Sequence, residues 1–134
     1  MNSEEDYNRV LAYGQSKLAN VLFAQELSQR VLEDKILVNA IHPGAVYTEL
    51  TRHYLSPLQW LIDFVFKHIM HDSDSASMTQ LYTAVSPELI KKRTTGKYFI
   101  PIAAEAETSE PAKDKNLQKG LWTLTEQVLK EKGF

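Results

Sequence analysis

The stretch Ile36-Leu37-Val38-Asn39-Ala40-Ile41, closed by His42-Pro43-Gly44, constrains the fold of this chain more than any other. A short, nearly continuous apolar run predicts a strand buried on both faces, as in a parallel sheet. Pro43 and Gly44 end it abruptly. Such a strand needs helical cover, and the flanking sequence provides it. From about Ser3 to Lys35 the pattern is helical. Ser3 and Asp6 resemble a cap, and Glu4, Glu5 and Asp6 suit the positive end of the helix dipole. The middle of this helix, Leu18 to Ala24, is apolar or small on nearly all sides. That predicts burial on nearly all sides, against its own sheet and a further surface such as a second subunit.

Beyond Gly44 the pattern continues as helices, one strand and a helix. Leu58 to Met70 is aromatic and apolar and predicts a helix of about three turns. Asp72 or Ser73 caps a further helix, roughly Asp74 to Val85, stopped at Ser86-Pro87. Gly96 precedes a second short strand, Lys97 to Pro101. Ala103 to Lys115 reads as an exposed loop. Asn116 to Lys132 carries Leu117, Leu121, Leu124 and Val128 on one stripe, an amphipathic helix with Gly120 as a weak point. Two strands joined by a helical crossover predict a parallel βαβ unit, hence an α/β fold. Two strands alone make a poor sheet, and the sequence supplies no further ones.

Composition narrows the function. Of 134 residues 43% are hydrophobic and 24% charged, ordinary globular proportions that argue against disorder. The formal net charge of −2 gives no global field for nucleic acid or an anionic membrane. With no cysteine, disulfides and thiolate metal sites are excluded, and a reducing, intracellular setting fits. The start, MNSEEDYNR, is no secretory signal. No apolar run reaches the ~18 residues of a membrane span. His68 and His71, three apart, have no H-E-x-x-H context and no clear third ligand, so no metal is expected. Ser16 lacks the G-x-S-x-G elbow of a hydrolase. Lys91-Lys92-Arg93 reads as a solvent-facing helix end or loop, and His42 as a packed, hydrogen-bonded histidine.

The chemistry-bearing residues are Tyr13-Gly14-Gln15-Ser16-Lys17. Tyrosine and lysine four apart on a helix share a face, about 40° apart around the axis. A free phenol, with a pKa near ~10, is a poor base at neutral pH, and a nearby ammonium favours its ionised form. Such a pair can pass a proton to or from a substrate oxygen, and the lysine can donate to a ribose hydroxyl. The spacing alone equally describes a core-edge tyrosine beside a solvated lysine.

The context decides. YGQSKLANVLFAQEL, then ILVNAIHPGAVYTEL about twenty residues after Lys17, then SPELIKKRTTGKYF, together resemble the short-chain dehydrogenase/reductase family. Within it they resemble the retinol-dehydrogenase-like and WW-domain-oxidoreductase-like branch, which reads Y-x-x-S-K-x-A-N, H-P-G-x-V-x-T, and S-P-E-L followed by G-K-Y-F. The resemblance implies the C-terminal part of a Rossmann-like doubly wound parallel sheet: the active-site helix, about two strands and the substrate-side helices. It implies Tyr13 as catalytic acid/base and Lys17 as its partner and ribose ligand. It places Pro43, Gly44, Val46 and Thr48 in the loop beside the nicotinamide of NADP or NAD. The substrate it implies is an apolar alcohol or carbonyl compound. Leu58 to Met70, with Trp60, Phe64 and Phe66, is then a flap over that substrate, an interfacial helix or plain core.

The family's glycine-rich phosphate loop, its carbonyl-polarising serine and its upstream asparagine have no counterpart here. Residues 1–134 therefore read as a partial domain without its nucleotide-binding half, inactive by itself. The alternative is a catalytically incompetent packing or interaction module. When complete, the protein is expected to be a homo-oligomer through the Tyr13–Lys35 helix, cytoplasmic or peripheral to an organelle membrane.

Overall fold

The computed structural model describes residues 7–44 and 73–134. The expected cap at Ser3 and Asp6, the loop residues Val46 and Thr48, and the whole Leu58 to Met70 segment with Trp60, Phe64 and Phe66 lie outside the described residues. The elements are α1 (Arg9–Arg30), β1 (Ala40–Ile41), α2 (Ser73–Val85), α3 (Pro87–Lys92), β2 (Tyr98–Ile100), β3 (Ala104–Ala106), α4 (Glu110–Lys113) and α5 (Lys115–Glu131).

The fold is α/β, with a three-stranded sheet in the order β1-β2-β3. β1 and β2 run parallel: the amides of Ala40 and His42 donate to the carbonyls of Lys97 and Phe99, two residues further along both strands. This is the parallel pair expected from the crossover. β3 is an addition. Only Pro101 to Ala103 join it to β2, and three residues can connect only antiparallel neighbours, so the sheet is mixed.

The chain divides into two units. The first comprises Met1–Ala40, Arg93–Tyr98 and Glu107–Phe134. In it α1 begins at Asn8, whose Oδ1 accepts from the amides of Val10 (2.9 Å) and Leu11 (3.1 Å), satisfying two orphan donors of the first turn. The helix stops at Arg30, not Lys35. Val31 is its C-cap, and residues 31–35 turn until Lys35 takes the left-handed conformation at φ 60°. The expected strand Ile36–Ile41 is regular only at Ala40–Ile41. Ahead of it, side-chain bonds supplement the one backbone bond from Gly96 N–H to Val38 O: Val38 N–H donates to Thr95 Oγ1, Asn39 Nδ2 donates to Thr94 O, and Asn39 Oδ1 accepts from Lys97 N–H.

α1 packs against α4 and α5. Leu22, Ala112 and Gln118 are buried in this unit, as is Ser28, whose Oγ faces Gly96. Gln118 Nε2 donates to Gln25 Oε1 and to Ala112 O, both at 2.8 Å. Phe23 stacks on Trp122 at 5.3 Å, and the Arg30 guanidinium lies 4.3 Å from the Trp122 ring. Two expectations change. Within Leu18–Ala24 only Leu22 is fully buried, and Asn20 and Phe23 are exposed, because cover comes from one side. In α5 the inward face is Gln118, Leu121, Trp122 and Thr125, whereas Leu117, Leu124 and Val128 of the predicted stripe are exposed. The helix is rotated so that its indole and amide reach α1. The expected loop 103–115 also contains α4, with Ser109 as N-cap and Pro111 in the first turn.

The second unit comprises Ile41–Lys92 and Phe99–Ala106. Its buried residues include Leu89, Phe99 and Thr79, with Tyr82 edge-on to Phe99 at 6.0 Å. Thr79 Oγ1 accepts from Ala103 N–H at 3.1 Å, fixing the β2–β3 turn at a residue with φ 55°. Pro87 ends α2 as expected and also begins α3, since its missing N–H costs nothing at a helix start. Lys91, Lys92 and Arg93 end α3 and are exposed, as the sequence suggested.

Candidate functional site

In the first unit the helical repeat sets Tyr13 and Lys17 on one face of α1. Lys17 Nζ lies 5.2 Å from the Tyr13 ring centroid, within cation–π range, and Tyr13 is 66% exposed. Ser16 is engaged locally, its Oγ donating to Tyr13 O at 2.7 Å. Gly14 meets no steric demand, since an added Cβ would have nothing within 4 Å. A cleft of about 260 Å³ opens beside this face. It is lined by Gly14, Lys17, Leu18 and Val21 of α1, by Tyr98 of β2, and by Glu107, Thr108, Ser109 and Ala112. Lys17 thus borders both the tyrosine and a cavity with polar and apolar walls.

The cleft residues Glu107, Thr108 and Ser109 fall in the stretch read as a plain loop. The Ser109-Glu110-Pro111 start of α4 was the available signal that this stretch turns back on the body. One cation between two anions orders it: Lys113 Nζ bonds Glu107 Oε2 and Glu110 Oε1, each at 2.9 Å. The hydrogen bond from Lys113 holds the Glu107 carboxyl below the usual range.

In the second unit, Pro43 and Gly44 follow β1. Gly44 has φ 82°, a left-handed conformation open to glycine and costly for most residues. Its N–H donates to His42 Nδ1 at 2.8 Å. His42 is therefore hydrogen-bonded as anticipated, but it is exposed and not packed, since it sits past the last residue of β1. Among the described residues no group of histidine, aspartate and glutamate could hold a metal, and no helix is long and apolar enough to cross a membrane.

Residues 1–58 match the short chain dehydrogenase family. Human retinol dehydrogenase 14 is 36% identical over 94% of this chain and 37% of its own length. Human retinol dehydrogenase 13 is 37% identical over 87% of the chain and 35% of its own length. The chloroplastic short-chain dehydrogenase TIC 32 A of Brassica napus is 34% identical over 93% of the chain and 38% of its own length. No solved structure matches significantly. The chain belongs to the short-chain dehydrogenase family, an oxidoreductase family, and spans a little over a third of the length of these relatives.

Proposed function

We propose that this chain supplies the proton-transfer and nicotinamide-side residues of an enzyme interconverting an apolar alcohol and its carbonyl compound with NADP or NAD. The observation that carries the reading is the shared face of Tyr13 and Lys17, with Lys17 and not Tyr13 also lining the cleft. The names of the retinol dehydrogenase relatives support an apolar, retinoid-like substrate.

Each unit carries residues of a chemistry suited to the cofactor. Lys17 carries three donors suited to ribose hydroxyls, and the left-handed Gly44 lets backbone approach a flat ring closely. Pro43 fixes that turn, and Val46 and Thr48 follow it in sequence. The five glycines form no phosphate-loop spacing, so the diphosphate end has to be held by other residues. The bound nicotinamide supplies or accepts the hydride at the carbonyl carbon. In the reducing direction Tyr13 Oη gives its proton to the carbonyl oxygen as the alcohol forms, and solvent restores it. The positive charge of Lys17 stabilises the negative charge left on the phenol. In this scheme Trp60 and Phe64 cover the substrate.

The test uses this chain fused in frame behind the nucleotide-binding half of human retinol dehydrogenase 14, with all-trans-retinaldehyde and NADPH or NADH. Tyr13→Phe is expected to lower kcat by at least about 10²-fold, the usual weight of a general acid, with cofactor Kd unchanged. Turnover surviving that change would remove Tyr13 from the proton path.

A further inference from the structure

We infer that His42 is a positioning residue for the nicotinamide-side turn, acting through its imidazole as a hydrogen-bond acceptor. This rests on the proposed role of Pro43 and Gly44 beside the cofactor. His42 is tied at two points. Its backbone N–H donates to Phe99 O at 2.8 Å, fixing it to β2, and its Nδ1 accepts the Gly44 N–H at 2.8 Å. The side chain spans the proline, which has no N–H of its own, and captures the next amide. This is the bond that an asparagine or aspartate makes in an Asx-turn, two residues on. Here a ring nitrogen stands where Oδ1 would be.

Two consequences follow from the chemistry. Accepting at Nδ1 puts the ring proton of the neutral imidazole on Nε2, so the side chain holds one tautomer. The captured amide also belongs to the residue at φ 82°, a conformation a flexible glycine leaves readily. Without the acceptor, Gly44 samples both signs of φ and the turn loses its preset shape. The penalty falls on the ligand that needs that shape, the nicotinamide, and not on the carbonyl substrate.

Three variants of the chain test this: His42→Phe keeps a ring without an acceptor, His42→Asn restores an acceptor at the Nδ1 position, and His42→Gln carries one a bond too far. On the 134-residue chain, ¹⁵N NMR should show His42 protonated at Nε2 and bare at Nδ1. The Gly44 amide should exchange slowly in the wild type and in His42→Asn, and faster in His42→Phe and His42→Gln. A wild-type Nδ1–H tautomer, or equal Gly44 exchange in all four proteins, overturns the inference even if His42→Phe folds poorly. In the fusion, His42→Phe should raise cofactor KM about three- to tenfold, the weight of one hydrogen bond, with retinaldehyde KM within twofold. His42→Asn should bring cofactor KM back towards the wild-type value. Equal damage by His42→Asn and His42→Phe would mean that ring shape matters, not the acceptor. A wild-type fusion with no cofactor turnover sinks the oxidoreductase reading instead, and the NMR measurements still decide whether His42 holds the turn.

Discussion

Lys17 carries its charge 5.2 Å from the Tyr13 ring, and that charge, not its bulk, is what the proposed chemistry uses. Lys17→Met keeps most of the apolar stem that lines the cleft and removes the ammonium. In the fusion it should reduce turnover at neutral pH by about 10²-fold and raise cofactor KM, because proton transfer and ribose binding both lose the same group. Unchanged KM with reduced kcat would separate the two roles. A second residue-scale prediction concerns Glu88 on α3. Its carboxyl lies below the ordinary carboxylate range, first because Lys92 Nζ hydrogen-bonds it at 2.6 Å, then through the Lys92 charge and the Tyr82 hydroxyl. A lowered folded value means the contribution is present above the unfolded value, about 4.3, and is lost as pH falls through the folded one. Lys92→Met should move the Glu88 titration upward, read from its side-chain carboxyl ¹³C shift. No movement would show that the ion pair is not the cause. The Tyr-Lys pair was legible in the sequence because helical spacing alone sets it. The Asn8 cap was not, because Ser3 and Asp6 carry equally good capping side chains and only the backbone decides among them.

Elements here are held by contacts that no pattern of apolar residues announces. Gly96 precedes β2 at φ 71°, and a Cβ there would stand 2.8 Å from Ser28 Oγ, which is buried and itself donates to Gln25 O. Gly96→Ala should destabilise the chain by at least about 1–2 kcal/mol from the left-handed backbone alone. Adding Ser28→Ala should recover part of the loss, because the next atom, Ser28 Cβ, is at an ordinary 3.7 Å. Urea denaturation of both proteins checks this, and full recovery would mean that the backbone conformation costs nothing. The pairing of α1 with α5 is tested in the same way. Trp122→Ala should cost about 2 kcal/mol, less than for a fully buried tryptophan because the indole is half-buried. A double-mutant cycle with Arg30→Met should give a coupling of about 0.5–1 kcal/mol for the guanidinium over the indole. These contacts explain where reading the sequence failed. The Leu117–Val128 stripe satisfied amphipathic spacing, yet the helix turns its indole and Gln118 inward, since Gln118 can meet both Gln25 Oε1 and Ala112 O. β3 was hidden because Ala104-Glu105-Ala106 has no β-branched or aromatic residue. The parallel β1–β2 pair was legible because Ile36–Ile41 is nearly all apolar and ends at Pro43-Gly44, and because Gly96 and Pro101 bracket Tyr98–Ile100.

At the scale of the whole chain, burial and chemistry point the same way. Among the described residues, Val10, Leu11, Tyr13 and Phe23 of α1 and Leu117, Leu124 and Val128 of α5 are exposed, and β1 has β2 on one edge only. Exposed apolar side chains and an open strand edge each favour association. Val10 and Leu11 lie within one turn of Tyr13, so whatever covers them would also shield the proposed proton-transfer pair from water. The chain spans about 37% of the length of human retinol dehydrogenase 14, and its glycines provide no phosphate loop. Cofactor affinity should therefore depend on additional sequence. The 134-residue chain is expected to give no enhancement of NADPH or NADH fluorescence at concentrations that saturate the fusion with the nucleotide-binding half. In sedimentation velocity it should self-associate, and the fusion should not form the same aggregates, because the added strands would cover β1 and α1. Tight nicotinamide binding by the 134-residue chain would overturn this division of labour. A monodisperse monomer without binding would instead show that the exposed apolar faces are tolerated in water, leaving the dependence on added sequence intact and removing burial as its cause.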